Sequence, residues 1–140
     1  MKRFILIITL QFALYCNAQA FLMLEQQKMN VKASMRSYAL VYHSKNYLEY
    51  QIDSVTIAYH FERNNNRLFF DPVWICNKAS VLMPQFSAIK YLNEKVKSGI
   101  WIRGQDSDSY KYYTGVFLLA VTVEVVKFND SWQFNYFFQN

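Results

Sequence analysis

Residues 110–140 read YKYYTGVFLLAVTVEVVKFNDSWQFNYFFQN, and their patterning decides the fold. Phe117, Leu119, Val121, Val123 and Val125 recur at every second position, with Leu118, Ala120, Thr122 and Glu124 between them. Side chains alternate faces along a strand, so the first set defines an apolar face and the second a more mixed one. Asn129, Asp130 and Ser131 then supply turn residues, and residues 132–138 form a second β-rich run. The pair predicts an antiparallel hairpin that closes the domain, with residues 112–128 as one long run kinked at Gly115.

Upstream of this tail the period changes. Pro84 suits a first helical turn, Gly99 a left-handed C-terminal stop, and Lys95 and Lys97 favour the negative end of a helix dipole. A helix over residues 84–98 follows, with Phe86, Ile89, Leu92 and Val96 expected to point inward beside Asn93. Residues 100–103 read as a short strand and residues 104–109 as a polar loop. Further back, Val55, Ile57, Tyr59 and Phe61 alternate with Thr56, Ala58, His60 and Glu62, which predicts a strand with the first set on the core face. Residues 47–52, 67–70 and 73–76 are further strand candidates, separated by turns at Asp53-Ser54, Asn64-Asn65-Asn66 and Asp71-Pro72. Val31, Met35, Tyr38 and Tyr42 fall on one face of a 3.6-residue period, so residues 22–43 are read as one long helix, though residues 38–42 equally suit the start of a strand.

The fold class is therefore α+β: an N-terminal helix, an antiparallel sheet meander, a second helix and a closing β-hairpin. Helices against one face of an antiparallel sheet bury both apolar stripes. A helix followed by long terminal strands, with Trp132 in the last, resembles the NTF2-like and cystatin-like folds over residues 110–140. That resemblance implies a curved sheet wrapped on helices, often around a conical pocket.

The first 20 residues carry a different signal. Lys2 and Arg3 precede an apolar run over residues 4–15, and Ala18-Gln19-Ala20 supplies an A-x-A exit. This order describes a cleavable secretory signal peptide, and about 12 apolar residues are too few for a spanning helix. Cleavage follows Ala20 or, with Cys16 as the small residue, Ala18. The remaining residues 21–140 make one ordinary domain, periplasmic or extracellular. The formal charge of +5 falls to +3 when Lys2 and Arg3 leave, and the cations are scattered. Nucleic-acid binding, which wants a basic stripe, is disfavoured. Cys76 is then the single cysteine, which excludes an internal disulfide and leaves a buried inert thiol as the default reading over a nucleophile or an intermolecular bridge.

Motifs for chemistry are sparse. His43 and His60 are the two histidines, without metal-ligand spacing. Asp106 and Asp108 alternate in a polar loop but lack the glycine and glutamate of a calcium loop. Glu124 interrupts an apolar strand, and burial there would raise its pKa. With three glycines in the chain there is no phosphate-cradling loop, and no cofactor motif is present. Aromatic residues form 19% of the chain, and such rings are enriched at interfaces. The sequence thus favours a non-enzymatic module that binds a protein or cell-envelope component through an aromatic sheet surface, with Tyr110, Tyr112, Tyr113, Trp132 and Tyr136 as its candidates. A small-ligand pocket or enzyme of NTF2-like type using Glu124 and His60 is the alternative. An inhibitor or immunity protein also fits the size and export.

Overall fold

The computed structural model describes residues 20, 22–64, 73–106, 108–113 and 120–138. Among them are two helices, α1 (Lys28–Ser34) and α2 (Gln85–Lys97), and eight strands. The strands are β1 (Ala39–Ser44), β2 (Tyr47–Ile52), β3 (Val55–Asn64), β4 (Val73–Pro84), β5 (Ile102–Arg103), β6 (Ser109–Tyr113), β7 (Ala120–Lys127) and β8 (Ser131–Phe138). All pair antiparallel in one open sheet of order β1-β2-β3-β4-β8-β7-β6-β5. The chain is a single α+β domain in which the sheet dominates. No helix among the described residues is long and apolar enough to cross a membrane.

The topology repeats. A helix precedes four antiparallel strands, and then a second helix precedes four more; each unit contributes its last strand to the centre, where β4 and β8 meet. Strand length rises towards that seam, from 6 to 12 residues in the first unit and from 2 to 8 in the second. Short edges and long central strands limit the unpaired backbone that a sheet exposes.

One face of the sheet is the core. Ile57, Tyr59, Val81, Val121, Val123, Phe134 and Tyr136 are at most 1% exposed, in step with the two-residue period of their strands. Each aliphatic side chain so buried contributes about 1.5–3 kcal/mol. Val31 and Met35 of the α1 segment cover this layer, where the Tyr59 hydroxyl meets Met35 Sδ at 3.5 Å. Ala88 and Tyr91 cover it from α2.

Several expectations are met and several are corrected. β3 puts Val55, Ile57, Tyr59 and Phe61 inward, Asp53 turns at φ +50°, and Gly99 stops α2 at φ +73°. The long helix over residues 22–43 is instead a seven-residue helix followed by β1. Tyr38 N–H closes a turn on Met35 C=O, after which the β-prone Ala39-Leu40-Val41-Tyr42 pairs with β2. The strand read at residues 73–76 runs on to Pro84. An odd residue had hidden its continuation: Asn77 is a bulge between the pairs Phe61–Cys76 and His60–Lys78, so Cys76 and Ala79 both face inward although three positions apart. The run at residues 112–128 is divided between β6 and β7, antiparallel neighbours in which Tyr113 pairs with Ala120. In α2 the inward face is Ala88 and Tyr91, while Phe86, Ile89 and Val96 are 65%, 38% and 41% exposed. The candidate strand at 67–70 and the turns at 64–66 and 71–72 involve residues outside those described, as does residue 115.

Candidate binding face of the sheet

The second face of the sheet carries the side chains that the alternation turns away from the helices, and its register is continuous. Glu49, Ala58, Ser80, Asn135, Glu124 and Ser109 form one row across six strands. Gln51, Thr56, Leu82, Gln133 and Val126 form a parallel row. On the other side of the first row lie Tyr47, His60 and Lys78, and, across β8 to β6, Phe137, Thr122 and Lys111. Five strand spacings make this face about 24 Å wide.

Its centre is ordered by hydrogen bonds. Ser80 Oγ donates to Asn135 Oδ1 at 2.7 Å, and Gln133 Nε2 donates to the same oxygen at 2.7 Å. Ser80 and Asn135 are 5% and 4% exposed, so this polar pair spans the β4–β8 seam as a covered contact. Towards β1 the face is aromatic. The Tyr47 ring meets His60 edge-on at 4.8 Å and Tyr42 at 5.8 Å, and its hydroxyl donates to Glu49 Oε2 at 2.7 Å. Burial first, and Lys78 second, hold the His60 imidazole below its ordinary pKa, so it is neutral near pH 7.

Towards β5 the face is hollowed. One depression of about 650 Å³ is bordered by Arg103, Asp106, Lys111, Thr122, Glu124 and Phe137. A second, of about 460 Å³, is bordered by Glu25, Glu62, Asn77, Lys78, Glu124 and Phe137. Glu124 and Phe137 separate the two. Each depression has one lining residue with a buried oxygen that lacks a hydrogen bond, Thr122 Oγ1 in the first and Asn77 Oδ1 in the second. Charges of both signs and an aromatic ring line these hollows, a mixture suited to a polar protein surface.

The residues singled out from the sequence divide between the two faces. Glu124 and His60 share the second face, but β4 and β8 lie between their strands, which separates them by about 14 Å. They do not form an acid–base pair, and Glu124 is exposed. Tyr110 and Tyr136 are 6% and 1% exposed and belong to the core, while Tyr112 and Trp132 pack against it half-buried. Backbone register places Tyr113 opposite Ala120 at the far end of β6. Tyr42, Tyr47 and Phe137 are aromatic residues that the register places on the second face. The alternation that turned His60 outward could have found Tyr47, because the two residues pair across β2 and β3.

His43 is exposed on the edge strand. Asp106 is exposed, and Asp108 forms a surface ion pair with Lys127 at 2.6 Å. No group of three or more His, Cys, Asp or Glu residues among those described could hold a metal ion. Cys76 is a fully buried free thiol whose pKa burial raises to about 12, so it carries almost no thiolate at neutral pH. Comparison with protein-family models, curated proteins and solved structures finds no match to this chain.

Proposed function

We propose that this protein is an exported, non-enzymatic docking module whose uncovered sheet face receives the surface of a partner protein. The observation that supports this reading is the division of the sheet: the helices lie on one face, and the other is a continuous area of aromatic, amide and charged side chains with two hollows. Interfaces that bind proteins combine aromatic anchors with a polar surround in this way. Tyr47, Phe137 and Glu124 are the anchors of the face, and Lys78 and Lys111 offset the charge of Glu49 and Glu124. The exposure of Glu124 weakens the reading of an enzyme or small-ligand pocket built on that carboxylate.

A photo-crosslinking residue at Gln51 or Lys111, introduced in the exporting host, tests the face. Adducts with a protein of defined mass are expected from both positions and not from Asn30, on the helix side. Equal labelling from all three positions, or none from the face, would overturn the proposal.

Export itself rests on residues 1–20, of which 1–19 lie outside the described ones. Ala20 is fully buried in the core with Met23 and Leu24. Cleavage after Ala18 keeps this methyl group in place, whereas cleavage after Ala20 removes it. The intact mass of the protein recovered from its host is expected to correspond to residues 19–140. A mass that retains Met1 and the basic run would rule out processing, and one beginning at Phe21 would move the cut.

A further inference from the structure

The helix side carries an apolar surface that the core does not use. Phe86, Ile89 and Val96 lie on α2 within an arc of about 80° around its axis, beside the arc that Ala88 and Tyr91 bury. They are 65%, 38% and 41% exposed. Isolated exposed apolar side chains are ordinary, but a stripe of this length on one element marks an interaction site.

We propose that this flank of α2 docks the protein on an anionic phospholipid membrane. Charge decides between the possible occupants. Residues 85–97 carry Lys90, Lys95 and Lys97 against a single carboxylate, Glu94. Lys90 and Lys97 fall on the arc beside Phe86 and Asn93, within reach of a headgroup layer when the apolar stripe enters it. A second copy docked through this patch would bring the same cations together; anionic headgroups neutralise them. An apolar stripe bordered by lysines is the arrangement that lies in a membrane interface, with the rings and branched chains at the acyl boundary and the ammonium groups extended to the phosphates. The helix side and the uncovered sheet face point in opposite directions, so docking here does not depend on the partner proposed above and leaves that face free.

Vesicle co-sedimentation of the protein as its host processes it provides the test. Binding is expected to vesicles of phosphatidylcholine containing about one third phosphatidylglycerol, and to fall in about 0.5 M salt, where screening shortens to a few ångströms. Phe86→Ser with Ile89→Ser, and separately Lys90→Glu with Lys97→Glu, should each weaken binding by roughly tenfold or more. Unchanged thermal melting would show that both variants stay folded, and Glu124→Gln on the opposite face should bind as the wild type does. Failure to bind anionic vesicles, equal binding to pure phosphatidylcholine, or retained binding in both double variants would overturn the proposal. It would also be overturned if Phe86→Ser with Ile89→Ser split a dimer in solution without affecting vesicle binding, which would make a second copy the occupant.

Discussion

Replacing Trp101 by alanine is expected to destabilise the fold by about 3–5 kcal/mol, a large share of what a domain of this size has in total. Trp101 is 4% exposed, between the end of α2 and the start of β5, and its backbone N–H is fixed to Lys95 C=O at 3.2 Å. Its indole contacts four rings: Tyr91 at 5.4 Å, Tyr110 and Phe134 at 6.0 Å, and Tyr136 at 6.3 Å. These rings come from α2, β6 and β8, so the indole joins the crossover helix to the second half of the sheet. Truncation would leave a cavity lined by stiff aromatic groups that cannot collapse into it, which places the cost at the upper end of core substitutions. Equilibrium denaturation in urea measures it. Trp101→Phe should recover most of the loss, and Phe128→Ala at an exposed site should stay within about 0.5 kcal/mol of wild type. A change below about 1 kcal/mol for Trp101→Ala would show that the cluster is not a structural centre.

Elements whose local chemistry and tertiary demand agree were legible in the sequence. Strand β3 alternates without interruption, and α2 is bounded by Pro84 and Gly99, whose backbone preferences leave little choice. Burial was legible where one face alone was apolar, as with Val31 and Met35. The misreadings have separate physical causes. Helix α2 has two apolar stripes, one with Ala88 and Tyr91 and one with Phe86, Ile89 and Val96, and periodicity cannot say which of two stripes a sheet will cover. In β4 the bulge at Asn77 shifts the alternation by one and places polar Asn77 and Lys78 in mid-strand, so the two-residue pattern breaks after Cys76. Of the candidate site, the outward positions of His60 and Glu124 followed from alternation, but their separation depended on strand order, which no local pattern carries. Aromatic content alone does not tell a surface ring from a core ring, as Tyr110 and Tyr136 demonstrate. In the fold, burial removes both from the surface, and the Tyr136 hydroxyl is hydrogen-bonded to Tyr91.

That Tyr91–Tyr136 contact sets the response to alkali. Burial above all raises the pKa of both phenols; at Tyr91 the hydrogen bond with Tyr136 opposes the shift and Glu94 adds to it, and at Tyr136 the Tyr91 neighbour adds to it. Tyr112, less deeply buried, shifts in the same direction, again mainly through burial. In the unfolded chain each phenol titrates near pH 10, whereas in the fold each holds its proton to higher pH. The folded state therefore binds more protons than the unfolded state above about pH 10, and stability falls as pH rises. The stabilisation is fully present below the unfolded pKa and is lost progressively towards the folded values, by about 1.4 kcal/mol per pH unit for each deeply buried phenol. With Tyr91 and Tyr136 titrating together, stability should be level from about pH 8 to pH 9.5 and then drop by up to about 3 kcal/mol per pH unit, so that the protein unfolds cooperatively near pH 12. Urea midpoints measured across this range, alongside ultraviolet titration of the phenols, would follow both processes. Tyr136→Phe should lower stability at neutral pH by about 1 kcal/mol, the worth of its hydrogen bond, while roughly halving the alkaline slope. A level profile through about pH 11, or an unchanged slope in Tyr136→Phe, would mean that these hydroxyls reach water in the folded protein and that the aromatic core is looser than its packing indicates.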